Sequence, residues 1–458
     1  MTGRRDHRED AEPAPAPGQA GGGGPDAAPR SVGRRGLLSA AGAGILAGGM
    51  LGGFGGFAGG RASAEEPAPS DPLDRSYPLR GEHQQGITTP AQDYLFTAAF
   101  DVTTTDLDEV RRLMQQWLVA AEQMSTGDLV GGTPLADLQA VPRDTGEAWG
   151  YPASSVTITV GAGRSFFVDA EGRDRFGIAE RMPEALADGV PRFAGEALQA
   201  ERSDGDLVIQ ACADDAQVAM HAIRNLTRIA VGTAALRWTQ MGYGRTSSTS
   251  TTQETPRNLF GYKDGTNNLK QEDGAEELGR HVWIDRADSG GERLAGGSYM
   301  MIRKIRMNLE TWDRLRLIEQ HEIIGRDKRF GAPLTVPDPT SGEDEFIDPD
   351  LAATEDGSPV IPRDAHIRVV SPHTNKGASM LRRGFNYTEG SDSLGRIDAG
   401  LFFIAYVRDP RESFFPILER MVSTDALEEY LRHVASAMFV VLPGVGAKDT
   451  MFGQALLS

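Results

Sequence analysis

An apolar run of strand length, an amphipathic stretch and a second apolar run follow one another at residues 206–212, 215–230 and 234–242. This succession limits the fold of the chain more than any other feature, because it reads as a β-α-β unit. An earlier run at 94–102 leads into 105–123, where Leu107, Val110, Leu113, Met114, Trp117 and Leu118 recur at three and four residues and give a helix one apolar face. Asp106 and Asp108 suit its N-terminus. A further strand is expected at 155–160, and Gly161-Ala162-Gly163 after it reads as a turn. The second half has a similar grammar, with strands at 298–307, 400–407 and 438–442 and helices at 309–324 and 410–421. The expected fold class is α+β: two ferredoxin-like domains, each a β-sheet with flanking helices, the second a duplicate of the first. The Ser/Thr run 246–252 reads as their connection, which sets the domains at 65–250 and 251–458.

Residues 1–30 are rich in Pro, Ala and Gly and cannot bury enough apolar surface to order themselves. Arg34-Arg35, a Gly-rich apolar run to Gly60 and Arg61-Ala62-Ser63-Ala64 then read as a twin-arginine export signal cleaved after Ala64. A retained N-terminal anchor is the alternative, disfavoured by the many glycines. The expected localisation is therefore exported: secreted, periplasmic or on the cell-envelope side, with no membrane segment after cleavage. The route serves proteins that fold before crossing, often around a cofactor. The net charge of −18 becomes −20 once residues 1–64, with seven basic and five acidic residues, are removed. An acidic chain without a basic cluster is a poor nucleic-acid binder. A lone Cys212 excludes an intramolecular disulfide, a Cys-based zinc site and an iron–sulfur cluster, and reads as a buried strand thiol.

No His-x-x-x-His, Gly-x-Ser-x-Gly or Walker A pattern occurs, so zinc-hydrolase, serine-hydrolase and P-loop readings lack their signatures. Three segments remain. In Gly261-Tyr262-Lys263-Asp264-Gly265, two glycines bracket an Asp and let backbone approach a flat ligand; a surface Asp-Gly turn is the plainer reading. In Ala365-His366-Ile367-Arg368-Val369-Val370, a short strand would set His366, Arg368 and Val370 on one face, although a lone His is more often structural. In Met380-Leu381-Arg382-Arg383-Gly384, paired arginines sit between apolar residues, which argues that at least one is held inward rather than solvated.

In this order, the three segments resemble the dye-decolourising peroxidase family, nearest to its twin-arginine-exported deferrochelatase/peroxidase branch. The resemblance runs from Gly81-Glu82-His83-Gln84-Gln85-Gly86-Ile87 to Leu442-Pro443-Gly444-Val445. It implies haem b, one per chain and in the second half, with His366 as the proximal iron ligand and Asp264 and Arg382 on the opposite side. It places haem contacts on Gly265, Thr266, Asn267, Arg368, Ser371, Pro372, His373 and Arg382. Many relatives carry Asn-Pro-Arg where this chain has Ser371-Pro372-His373, which puts a propionate contact at His373 in doubt. Arg383 is the alternative to Arg382. Asp425 matches an acidic position that hydrogen-bonds the proximal His, and it reads equally well as a helix-start residue after Ser423-Thr424.

The implied activity is reduction of hydrogen peroxide, with Asp264 moving a proton between its oxygens and Arg382 stabilising the charge that develops as the O–O bond breaks. Small aromatic, phenolic or dye-like donors then give up single electrons, with Tyr387 and Tyr406 as candidate relays and an acidic optimum expected of an Asp base. One alternative is a deferrochelatase that releases iron from haem beside iron-uptake components. A second is a non-catalytic haem carrier, against which Asp264 and Arg382 argue. A homo-oligomer stays open.

Overall fold

The computed structural model describes residues 72–132 and 138–458; the export leader expected at 1–64 lies outside the described residues. No helix among the described residues is long and apolar enough to cross a membrane.

The first half supplies β1 (Tyr94–Val102), α1 (Leu107–Ser125), β2 (Thr157–Gly163), β3 (Leu207–Ala213), α2 (Ala216–Ala230) and β4 (Ala234–Arg245). The second supplies β5 (Ser298–Met307), α3 (Leu317–Ile324), α4 (His366–Val369), β6 (Phe385–Ser391), β7 (Ile397–Val407), α5 (Phe414–Thr424) and β8 (Leu431–Val441). Neighbouring strands in the first half run β2-β3-β1-β4, and in the second β6-β7-β5-β8. Each half thus sets its second, third, first and fourth strands side by side, the ferredoxin-like order, and the duplicated α+β expectation holds. The halves join because β4 pairs with β6 and β8 with β2, both antiparallel. The eight strands close on themselves, which leaves no long unpaired edge.

Strand periodicity sorts side chains between two sides of this closed sheet. Phe402, Ile404 and Tyr406 of β7 meet Met300 and Ile302 of β5 in one cluster. Leu401 and Phe403, with Arg303, Ile305 and Met307, turn the other way and line a cavity against α5. In the first half the corresponding face is covered by α1 and α2. Asp106 caps α1 by accepting from the Asp108 N–H, and Asp215 caps α2 by accepting from Gln217 and Val218. Trp117 is buried between them, with its indole N–H donating to the Leu226 carbonyl at 2.9 Å. Cys212 is buried on β3, as its strand reading required.

Three local expectations change. Residues 309–324 form two short helices, Leu309–Trp312 and α3, because Trp312 is anchored by stacking on Phe260 while the Glu319 carboxylate caps the Arg316 N–H and restarts the helix. Gly161-Ala162-Gly163 is no turn but the end of β2; a Cβ on Gly163 would lie 2.1 Å from the Gly205 carbonyl, so the glycine serves a close backbone approach. The Ser/Thr run follows β4, but its residues Thr246–Ser250 are buried. Thr249 Oγ1 donates to Thr89 O and Ser250 Oγ to Glu272, so its polar groups are satisfied inside the protein rather than by water.

Candidate active site

His366 opens α4, a single helical turn, rather than the short strand expected. The Arg368 guanidinium donates to the Ile361 and Pro362 carbonyls, which holds the chain before the turn, and no strand among the described residues pairs with 366–369. Helical spacing puts His366 and Val370 on one side, both lining the cavity, and swings Arg368 away from it. Arg368 was expected beside the ligand; it is a backbone clamp outside the cavity.

The His366 Nδ1–H donates to Asp425 Oδ2 at 2.7 Å, and the same carboxylate accepts the Leu427 N–H at 2.9 Å through Oδ1. Both readings of Asp425 are therefore realised in one side chain, a helix-start cap and a partner for the imidazole. Burial alone would lower the His366 pKa, but the adjoining Asp425 carboxylate outweighs it and the net direction is upward. His366 Nε2 has no protein partner among the described residues.

Asp264 is set by its two glycines. Gly265 has φ +84°, and a Cβ there would lie 2.9 Å from Ser247 Cα, so only glycine lets the Asp264 loop seat against the buried Ser/Thr run. Asp264 Oδ1 accepts from Arg382 Nη1 at 3.3 Å, and Oδ2 accepts from Asn258 Nδ2 at 3.2 Å. Arg382 is fixed from behind by Asn268, whose amide accepts the Arg382 N–H at 2.7 Å and donates to the Arg382 carbonyl at 2.9 Å. Arg383 points the opposite way, is fully buried and donates to Thr89 O and Gln92, so Arg382 alone of the pair reaches the cavity.

Asp264, Gly265, Thr266, Asn267, His366, Ser371, Pro372 and Arg382 all line one cavity of about 370 Å³. His373, expected among the ligand contacts, does not; it is 61% exposed and faces Asp348 at 3.3 Å, outside the cavity. Tyr387 and Tyr406 are buried among the side chains inside the sheet and also stay outside the cavity. Sequence reading missed Arg303, Arg326 and Glu345 in the wall. Glu345 is buried, accepting from Lys263 and from Thr266 Oγ1 at 2.9 Å. It stands in the acidic run 343–345, and Arg326 stands in the charged run 326–329, with no local sign of burial in either.

A family model described as Dyp-type peroxidase, N-terminal, matches residues 84–244, and one described as Dyp-type peroxidase, C-terminal, matches residues 255–446. The chain belongs to the Dyp-type peroxidase family. It is an oxidoreductase acting on peroxide. The deferrochelatase of Escherichia coli K12 is 35% identical over 399 residues, which cover 86% of this chain and 90% of that protein. Ferric DtpA from Streptomyces lividans is 36% identical with a TM-score of 0.76, over 85% of this chain and 99% of that one. The DyP-type peroxidase from Cellulomonas bogoriensis is also 36% identical, with a TM-score of 0.72, over 85% of this chain and all of that one.

Dyp-type peroxidases and deferrochelatase are haem proteins, and the cavity of this peroxidase suits such a ligand. Among the described residues no three His, Cys, Asp or Glu gather as a metal site, so His366 is a single imidazole rather than one of a ligand set. Its free Nε2, a carboxylate behind its Nδ1 and apolar walls from Ile305, Met307, Leu401, Phe403, Leu418 and Met421 match a flat apolar group whose metal needs one protein ligand.

Proposed function

We propose that this peroxidase holds one haem b per chain through His366 Nε2 and oxidises dye-like or phenolic donors with hydrogen peroxide. The observation that carries the reading is the pairing of opposites in one cavity: an Asp–Arg pair and an Asp-supported imidazole, brought together from positions 264, 382, 366 and 425. When bound there, haem supplies the redox iron at which peroxide is reduced and to which donors return single electrons.

The chain's own groups do the rest. Asp425 fixes the His366 tautomer with the proton on Nδ1, leaving the Nε2 lone pair for the metal, and makes the imidazole more electron-donating. Asp264 Oδ2, held by a single amide contact, takes a proton from one peroxide oxygen and delivers it to the other, so that water can leave. The Arg382 guanidinium stabilises the negative charge that collects on the departing oxygen, and its backbone clamp from Asn268 spares it reorganisation. Ser247 and Gly265 pack against each other in the cavity wall that Asp264 also lines.

Peroxide-dependent dye oxidation by the haem-loaded chain tests this function; turnover no faster than that of free haem would overturn it. Kinship with deferrochelatase favours a second reading, in which the same cavity releases iron from haem for uptake components. Appearance of metal-free porphyrin without peroxide consumption would decide for it. Export by the twin-arginine route rests on residues 31–64 and belongs with the proposal.

A further inference from the structure

Reduction of peroxide to two waters takes up two electrons and two protons. Asp264 passes a proton from one peroxide oxygen to the other, which adds none to the total. A donor that supplies electrons alone therefore leaves both protons to be drawn from solvent into a buried cavity.

One part of the cavity wall gathers polar side chains that the protein leaves unsatisfied. His433 on β8 lines the cavity, is buried, and has no hydrogen-bond partner for either ring nitrogen among the described residues. Glu428 stands on the turn Ala426–Tyr430 just before β8; its Oε1 is also buried without a hydrogen bond and lies 3.5 Å from His433 Nε2. Across the ladder, β5 sets Ile305 opposite His433 and Arg303 opposite Ser436. Arg303 Nε and Nη1 and Ser436 Oγ add three more buried atoms without a partner. Unsatisfied buried groups are costly and rare, and so many at one place call for a role.

The charges around the imidazole come from three elements. Glu428 precedes its strand, Arg303 comes from β5, and Glu196 comes from a first-half loop whose Ala197 N–H donates to the His433 carbonyl at 2.9 Å. Burial lowers the Arg303 pKa, and the carboxylates of Glu196 and Glu428 oppose it. The remaining neighbours in the wall, Leu401 and Phe403 of β7 and Phe414, Ile417, Leu418 and Met421 of α5, bring no charge. Arg303 is ion-paired with Glu196, which leaves Glu428 and His433 as a carboxyl and an imidazole able to share one proton. The Glu428 side chain is 18% exposed and that of His433 5%, so the pair spans from solvent to the cavity.

We propose that Glu428 and His433 form a proton entry into the cavity. Glu428 takes a proton from solvent. Its O–H bond breaks as an N–H bond forms on His433 Nε2, directly after a small approach or through one bridging water. The imidazolium then gives the proton on Nδ1 to water in the cavity. Neither nitrogen is tied to a fixed partner, so the ring can turn and restore the starting tautomer. The inference rests on the peroxidase reading and adds to it the source of the protons that the reaction consumes.

Ferrocyanide yields an electron and no proton, so one peroxide, two ferrocyanides and two protons from solvent give two waters and two ferricyanides. The haem-loaded full chain is assayed with ferrocyanide and with a phenol, beside His433→Gln, Glu428→Gln and the double variant. Each single variant should lose at least roughly tenfold in ferrocyanide turnover, the lower part of what a positioned proton donor contributes, and less with the phenol, which releases a proton with its electron. The double variant should be no slower than the slower single one, because both residues serve one path. Unchanged ferrocyanide turnover, equal losses with both donors, or losses that multiply in the double variant would each overturn the proposal. Nitrogen-15 NMR of the haem-free chain, with His433→Gln for assignment, should show both tautomers of the His433 ring. A single fixed tautomer overturns the relay whether or not the variants fold. A loaded chain that turns over neither donor, with both tautomers present, defeats the haem reading instead.

Discussion

Replacing Asp425 separates two functions that one carboxylate performs. Oδ1 accepts the Leu427 N–H and Oδ2 accepts the His366 Nδ1–H, both inside the protein. Asp425→Ser keeps a short oxygen for the cap but cannot reach the imidazole. Asp425→Asn keeps the reach, but its amide has one acceptor for two donors, so either the cap or the imidazole faces an NH2 group. Loss of a cap costs about 0.5–2 kcal/mol, and a buried donor left unsatisfied costs about 1–3 kcal/mol. Asp425→Ala should therefore destabilise the haem-free chain by roughly 1.5–5 kcal/mol, and Asp425→Ser by the imidazole part alone, about 1–3 kcal/mol. Haem affinity should fall about tenfold to a hundredfold in Asp425→Ala and Asp425→Ser, because His366 there loses the partner that fixes its tautomer. Urea denaturation of the haem-free chains and Soret titration measure the two quantities. Undiminished haem affinity in Asp425→Ser, with the cap retained, would refute the claim that the carboxylate supports a metal-binding imidazole.

Three further outcomes follow from the same geometry. Asp264→Asn should fold normally and lose about 10²- to 10⁴-fold in peroxide-dependent turnover, the range of a general acid–base contribution; stopped-flow mixing with peroxide checks it, and an unchanged rate removes Asp264 from proton transfer. Gly265→Ala, at φ +84° and against Ser247 Cα, should destabilise the chain by more than about 1 kcal/mol, read as a lower midpoint in thermal melting. Glu389 is raised by burial but held net below the ordinary carboxylate range by Lys304 and Arg202. A depressed folded-state value means that its contribution is present above the ordinary carboxylate range and is lost as pH falls through the depressed value. Glu389→Gln should flatten that acid limb of a stability-versus-pH curve, and an unaltered limb would contradict it.

The repeated element order was legible because each strand and helix carries its own periodicity, from Leu107 to Leu118 on α1 to the run ending at Cys212 on β3. Closure of the sheet was not, because it depends on β4–β6 and β8–β2 pairings between strands far apart in the chain. Asp264, His366 and Arg382 could be picked out by their flanking residues and order. The backbone of His366 could not: Ile367, Arg368, Val369 and Val370 favour a strand by composition, and the absence of a partner strand overrides that preference. Arg326 shows a different failure. A basic residue beside Asp327, Lys328 and Arg329 carries no local sign of burial, and only the folded wall reveals that it is buried.

Titration of the haem-free chain with haem, beside His366→Ala, bears most directly on the whole scheme. The unmodified chain should saturate at one haem per chain with a Soret band that shifts on adding peroxide, while His366→Ala should bind weakly and lack that band. If the two proteins gave the same affinity and the same spectrum, the iron would not be held at position 366, and the roles assigned across the cavity would fall with it.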